Sequence, residues 1–340
     1  MSHSAAVQPE PKAPLEVQNV TTPQPGPGEL LIKNEFIALN PVDAKLIKLA
    51  LFPIPYPAIH GLSYGGTVAA VGSDVTGFKV GDRVAAAKAG GASGNNYSAF
   101  QEYVVSLEAT ASRIPASVDL RDPVSLIGNL STVVGLFNAH LGLERPDPVG
   151  KAPSNGTKVL VYGGSSSFGS FATQYLAQAG YQVVTTISPP HRDLVARLGA
   201  VHVVDHTRPP DAIVKELVAQ GPYDHVVDSI SLEPTFGILA QVVAAQGGGK
   251  ILALLPPPPD GSSFPEGVSA EFASWGASLG KPENSELLKW AYGTYLSQAV
   301  ANDKIVTLPW RKVAGGLGGL NEAVDVLFKG VSGVKVGVEL

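Results

Sequence analysis

The residues whose types and spacing most directly suggest chemistry are Gly163-Gly164-Ser165-Ser166-Ser167-Phe168-Gly169. They follow an apolar run, residues 158–162 (KVLVY), and open a stretch in which Phe168, Phe171, Ala172 and Tyr175 recur at helical spacing. A strand, a glycine turn and a helix start, in that order, can hold a pyrophosphate. The N–H groups of the turn and the positive end of the helix face the anion, and glycine lets the backbone come close. Against the pattern G-x-G-x-x-G the chain offers Gly164, Ser166 and Gly169, with serine in the middle position. The alternative is an ordinary strand-to-helix turn. The elements that follow argue against it.

Those elements alternate. Residues 182–187 (QVVTTI) form the next expected strand, followed by a strand at 201–204, a helix at 210–219, a strand at 225–230, a helix at 234–243 and a strand at 250–255. This rhythm predicts right-handed βαβ units and a doubly wound parallel sheet. The second strand also bears on which dinucleotide would be held. NAD sites commonly place Asp or Glu at its end, against the ribose hydroxyls. Here it ends Thr185-Thr186-Ile187-Ser188, then Pro189, Pro190, His191 and Arg192. No carboxylate stands there to repel a 2′-phosphate, Ser188 can donate to one, and Arg192 can offset its charge, so NADPH is the expected cofactor. Arg192 reads equally well as a solvated helix residue.

The first half has another rhythm. Residues 29–39, 65–72, 80–86 and 99–105 read as short strands broken by Gly-Asp and Gly-Ser turns, which predicts a compact barrel-like β domain. After about residue 262 the patterning is mixed, ending in 333–340 (GVKVGVEL), a strand expected to rejoin that domain. The α/β chain is therefore divided into a β-rich catalytic domain (1–127 and 262–340) and a nucleotide-binding domain (128–261). The strand at 250–255, read as the last of its sheet, runs into Pro256-Pro257-Pro258-Pro259. Prolines blunt a sheet edge, so a monomer is expected.

Composition narrows the function classes. A net charge of −5 with no Lys/Arg-rich run argues against binding a nucleic-acid backbone. The chain has no cysteine, which excludes disulfides, thiolate metal sites and a cysteine nucleophile. No stretch reaches the ~18 apolar residues of a membrane helix, and the first residues lack a signal-peptide core. A soluble, cytoplasmic chain with no membrane or nucleic-acid partner is expected.

Four segments, in order along nearly the whole chain, resemble the medium-chain dehydrogenases/reductases. They are Asn40-Pro41-Val42-Asp43, Gly61 to Val68 (GLSYGGTV) running on to Gly81-Asp82-Arg83-Val84, Leu130-Ser131-Thr132, and the glycine loop. Asn-Pro-Val-Asp-x-Lys is similar to the quinone-oxidoreductase branch. Leu-Ser-Thr, the Tyr162-Gly-Gly-Ser loop and Ser188-Pro look most like fungal trans-acting enoyl reductases of polyketide pathways. The resemblance implies a GroES-like catalytic domain beside a Rossmann domain. It also implies that the zinc-ligand positions of alcohol dehydrogenases correspond to Asn40, Leu62 and Gly128, with Ser63 where a Glu stands and His60 a loop histidine nearby. None of the first three is a strong zinc ligand, and Gly-rich residues 88–96 replace the structural zinc lobe.

Without a Lewis acid, the expected reaction is NADPH-dependent hydride transfer to an activated C=C bond of an enoyl thioester, enone or alkenal. Alternatives are a quinone oxidoreductase and a redox-silent NADPH-binding regulator. By resemblance, Thr132 contacts the nicotinamide, and Asn40 and Asp43 lie near it. Gly164, Ser165, Ser166, Ser167, Phe168, Gly169, Ser188, Arg192, His206, Leu254, Leu255 and Lys335 complete the cofactor set. Lys45 and Tyr64 are candidate donors to the enolate oxygen, their alternatives being a solvated or ion-paired lysine and a core tyrosine. Leu51 and Phe52 stand where some relatives carry an acid tyrosine, which leaves protonation to solvent. The substrate is a small molecule or a carrier-bound enoyl group, with a polyketide synthase as the implied partner. No metal is expected.

Overall fold

Apolar runs too short for helices do form the parallel sheet that the second half predicts. The computed structural model describes residues 1–258 and 264–340, in two compact units: Met1–Val134 with Gly276–Leu340, and Gly135–Trp275. In the second unit six strands pair in the order His202–Asp205, Gln182–Ile187, Lys158–Tyr162, His225–Asp228, Gly249–Ala253, Val268–Phe272, all parallel. The chain reverses direction across the sheet at Lys158–Tyr162, the doubly wound order in which ligands bind beyond the carboxyl ends of the central strands. The helices Ser167–Gln178, Pro210–Gln220 and Glu233–Ala245 follow three of these strands, near the expected positions. Leu160, Val184, Val204, Val226, Leu239 and Ile251 lie in one core cluster.

The first unit is built on a seven-stranded sheet around Glu29–Ala38, the longest strand of the set. That strand pairs antiparallel with Ser63–Val71, with Tyr103–Leu107 and with the last strand, Lys335–Glu339. The C-terminal strand thus rejoins the first unit, as expected. Arg83–Ala87 and Ala111–Arg113 extend the sheet on one side and Trp310–Val313 on the other.

Three features depart from the sequence reading. Ser2–Gln8 and Glu16–Thr21 are strands of a separate three-stranded sheet, within a polar segment that shows no strand pattern. Several helices have no counterpart among the expected elements: Pro41–Leu49, Arg121–Val134 and, past residue 262, Ser285–Trp290, Leu296–Ala301 and Leu320–Phe328. The first has legible signals, Asn40 at its N-cap, Pro41 at the first helical position and Leu46–Ile47 inside, but these coincide with the Asn-Pro-Val-Asp motif.

The third departure corrects an inference. Gly249–Ala253 is not the edge of the parallel sheet, because it pairs with His225–Asp228 on one side and Val268–Phe272 on the other. Pro256–Pro258 therefore blunt nothing, and Pro259 lies outside the described residues. The edge on that side is Val268–Phe272, and the opposite edge is His202–Asp205. The domain boundary read at 261–262 also lies outside the described residues, and the sheet continues past it. At the other end, the helix Arg121–Val134 keeps 128–134 with the first unit.

Candidate functional site

In the second unit the glycine loop is held by its neighbours. The Gly163 N–H donates to Thr186 Oγ1 (2.8 Å), and the Gly164 N–H to the Thr186 carbonyl (2.8 Å). A Cβ on Gly164 would stand 2.2 Å from Thr185 Oγ1, and one on Gly169 would stand 2.2 Å from the Gly163 carbonyl oxygen. Both positions need glycine, the first to lay the loop on the next strand and the second to bring the helix close. Ser166, in the middle position, is the N-cap of Ser167–Gln178. Its Oγ accepts from the Gly169 N–H (2.9 Å) and lies 3.0 Å from Ser229 Oγ. Its φ of −74° is ordinary, so nothing in the backbone requires glycine there.

Among the described residues the N–H groups of Ser165 and Phe168 take no hydrogen bond. These are orphan donors of a helix start, and a cradle of this kind fits the pyrophosphate of a dinucleotide.

The loop's support comes from a residue that no sequence motif singles out. Asp228, fully buried at the end of its strand, accepts from the N–H groups of Ile230 (3.0 Å) and Ser231 (2.8 Å) and from Thr235 Oγ1 (2.5 Å). Burial raises its carboxyl pKa, and these three donors oppose that rise. The turn they fix carries Ser229 to Ser166. It also carries Ser231, whose Oγ accepts the Leu254 N–H at 2.8 Å. Leu254 thus has its N–H engaged already. Leu255 lies beside it, partly buried.

Ser188 is partly exposed at the end of the second strand, and Arg192 is exposed with no ion pair among the described residues. The His206 N–H donates to the Ile187 carbonyl (2.9 Å), which puts His206 beside the same strand end. The neighbouring strand contributes an acid that the second strand lacks. Asp205 lies in register with Ile187, and its carboxylate accepts from the Thr207 N–H (2.8 Å) and Oγ1 (2.7 Å).

In the first unit Asn40, Asp43 and Lys335 come together as a buried polar cluster with Ser63. The Asn40 N–H donates to Asp43 Oδ2 (2.7 Å), its Nδ2 to Ser63 Oγ (2.8 Å), and Lys335 Nζ to Asn40 Oδ1 (2.8 Å). Asp43 and Lys335 are 0% and 2% exposed. Burial raises the Asp43 carboxyl to about 6 against the partial relief given by the Asn40 N–H and Lys335, and lowers the Lys335 ammonium to about 8. Lys88, missed by the sequence reading inside its Gly-rich segment, is lowered by burial, with Asp43 opposing. His60 is bonded to Gln8 Oε1 (2.7 Å), and burial and then Lys88 push its pKa down to about 4. It is a neutral structural histidine.

The remaining candidates are less closely joined. Tyr64 is a correction: it is fully buried in the core of the first unit, its hydroxyl 3.4 Å from the Val105 carbonyl, and burial raises its pKa. A phenol in the core cannot donate to a substrate. Lys45 sits two residues after Asp43 on the same helix, hence ~200° around the axis. It is partly buried, with desolvation lowering its pKa. Thr132 is partly exposed near the end of Arg121–Val134.

A zinc ion does not fit these residues. Two of the ligand-equivalent positions, Asn40 and Gly128, come together, yet a Cβ on Gly128 would stand 2.0 Å from Ser63 Oγ and 3.0 Å from both amide atoms of Asn40. The place of a ligand side chain is filled by an amide and a hydroxyl. Among the described residues no three His, Cys, Asp or Glu side chains cluster as a metal site.

Residues 26–116 match the alcohol dehydrogenase GroES-like domain, and residues 168–288 the zinc-binding dehydrogenase family. A trans-enoyl reductase from Aspergillus japonicus is 34% identical over 323 residues, covering 92% of this chain and 90% of that protein. Two solved structures share the fold. An alcohol dehydrogenase superfamily protein from Novosphingobium aromaticivorans has a TM-score of 0.79 at 22% identity, covering 99% of each chain. A mycobacterial protein complexed with NADPH has a TM-score of 0.73 at 23% identity, covering 100% of each. With a full-length relative at this identity and a family match in each half, the chain belongs to the medium-chain dehydrogenase/reductase family of oxidoreductases.

Proposed function

We propose that the chain is an NADPH-dependent reductase that adds hydride to an activated carbon–carbon double bond, in an enoyl thioester, enone or alkenal, without a metal ion. The observation that carries this reading is the packing of Gly128 against Asn40 and Ser63, where zinc-dependent relatives need ligands. Alcohol oxidation without a Lewis acid lacks the device that lowers the alcohol's pKa. A conjugated acceptor needs no such device, because its β-carbon is already electrophilic. The bound nicotinamide would supply the hydride. The electron pair displaced from the double bond passes to the carbonyl oxygen, and a solvent proton reaches the α-carbon, giving the saturated product.

The chain's residues then have separable tasks. The Ser165 and Phe168 N–H groups hold the pyrophosphate, and Ser188 with exposed Arg192 favour a 2′-phosphate. Thr132 holds the carboxamide. Lys45, whose ammonium is acidified by desolvation, faces the carbonyl side of the substrate. The name of the Aspergillus japonicus relative supports the enoyl class.

The test is NADPH oxidation over a panel of enoyl thioesters, enones, alkenals and quinones, before and after chelation. The expected result is turnover of conjugated carbonyl compounds, unchanged by the chelator. Turnover of quinones alone would make it a quinone oxidoreductase. No NADPH consumption with any acceptor would leave a redox-silent nucleotide binder.

A further inference from the structure

The ligand-equivalent positions carry neutral side chains, yet the site is not neutral. Lys335 enters from the last strand and is 2% exposed, its Nζ 2.8 Å from Asn40 Oδ1. The Asn40 amide is then used on both sides: Oδ1 accepts from Lys335, while Nδ2 donates to Ser63 Oγ (2.8 Å) and reaches Asp43 Oδ2 at 3.3 Å. An amide has two nearly isosteric orientations. An ammonium can only donate, so it selects the one with oxygen toward itself.

The charged groups that face Lys335 are few. Asp43 is the carboxylate of the cluster, and its Oδ1 is buried without a hydrogen-bond partner. Lys88 also acts on Asp43 and donates to Ser98 Oγ (3.0 Å), and burial together with Lys88 keeps His60 neutral. Among the described residues, Asp43 is the carboxylate that acts on both Lys335 and Lys88. The buried Lys335 ammonium faces the Asp43 carboxylate, which Lys88 also influences.

We propose that Lys335 is a positioning residue of the reductase reaction, its ammonium supplying in place of a metal ion the fixed positive charge against which the Asn40 amide and the Asp43 carboxylate are oriented. It acts through Asn40, the N-cap of the helix Pro41–Leu49, and so sets the start of the element that carries Lys45. This rests on the reductase reading above, and the experiment separates the two.

For an acceptor found in the screen, kcat/KM is followed from about pH 6 to about pH 10 in wild type, Lys335→Arg and Lys335→Gln. Burial lowers the Lys335 ammonium from 10.5 to about 8, with Asp43 opposing, so the wild-type profile should fall on the basic side near that pH. Lys335→Arg cannot lose its charge, so at whatever rate it retains, the basic limb should be absent. Lys335→Gln keeps a donor without the charge and should lose about thirtyfold or more at every pH. A flat wild-type profile, or a Gln variant with wild-type kcat/KM, overturns the proposal. Should Lys335→Gln fail to fold, the shape of the Arg profile decides.

Should no acceptor be reduced, the reductase reading fails, and the charge is read directly from lysine side-chain carbon resonances. A resonance that is missing in Lys335→Arg, titrates far below the other lysines and moves lower still in Asp43→Asn supports the charged pair. Its absence overturns it.

Discussion

Asp43 shows how a single buried group converts environment into pH dependence. Its carboxyl, ordinarily at 3.8, is raised to about 6 by burial. Between those values the folded chain holds a proton that the unfolded chain has released. Wild type therefore loses stability from this group as pH rises through that window, and the loss is complete above the folded value. Asp43→Asn can still accept the Asn40 N–H and has no such window. In urea titrations the variant should gain on wild type by about 1–3 kcal/mol between about pH 4 and about pH 7, because each tenfold change in proton affinity is worth ~1.4 kcal/mol. An unchanged difference would show that Asp43 does not titrate as its burial demands. Ser188 is the other residue with a direct readout. NADPH should bind at least about tenfold more tightly than NADH, or ~1.4 kcal/mol. Ser188→Asp should invert the order by setting a carboxylate against the 2′-phosphate, and Arg192→Ala should weaken NADPH alone. Fluorescence titration of both cofactors decides it, and equal dissociation constants in wild type would remove the argument for NADPH.

At the scale of elements, the helix Ser167–Gln178 and the strand before it can meet only because residue 169 has no side chain. In Gly169→Ala the new Cβ would stand 2.2 Å from the Gly163 carbonyl oxygen, and backbone cannot swing aside as a long side chain can. The helix must back away from the loop, at a cost of about 1–3 kcal/mol, typical of overpacking. NADPH affinity should fall more than about tenfold, because the donors at the helix start retreat with it. Gly237 is the counter-case. It lies exposed within the helix Glu233–Ala245, with nothing within 4 Å of an added Cβ. Gly237→Ala should stabilise by ~0.5–1 kcal/mol through helix propensity and leave cofactor binding alone. If both variants behaved alike in denaturation and binding, close approach would not be the reason for glycine at 169.

For the whole molecule, an edge of the parallel sheet is what a second copy would meet. That sheet has two edges: Val268–Phe272, five residues long, with Glu271 paired to Lys250 at 2.6 Å and Phe272 40% exposed, and His202–Asp205, four residues long, with His202 bonded to Glu216 at 2.9 Å. A short edge bearing an engaged charge is a poor template for pairing. A solution mass near the 35.1 kDa of one chain is therefore expected from light scattering coupled to size exclusion. The ground for this differs from the proline run, which the sheet order set aside. A stable mass of twice that value would mean that one of these edges, or another surface, binds a second copy. No helix among the described residues is long and apolar enough to cross a membrane.

The features legible without coordinates are those carried by contiguous residues. The parallel sheet was legible because its inner strands carry short apolar, β-branched cores, as in Lys158–Tyr162 and Gln182–Ile187, and its helices repeat at 3.6 residues. The phosphate loop was legible because strand, turn and helix start occupy one segment. Residue types at 40, 62 and 128 were enough to argue against zinc. The N-terminal strands were hidden because Glu16–Thr21 is almost wholly exposed and has no apolar alternation to read.

The other features come from packing, because they depend on contacts that no local pattern encodes. Lys335 and Asn40 are 295 positions apart, so no local pattern encodes the contact between the ammonium and the amide. Ser229 reaches Ser166 from 63 residues away, through a turn fixed by a buried carboxylate. Tyr64 has the same side chain in a core as in a cleft, and only its neighbours in space assign it to the core. Sheet order, too, follows from pairing across the fold, which is why a strand that ends at prolines proved to be an inner one.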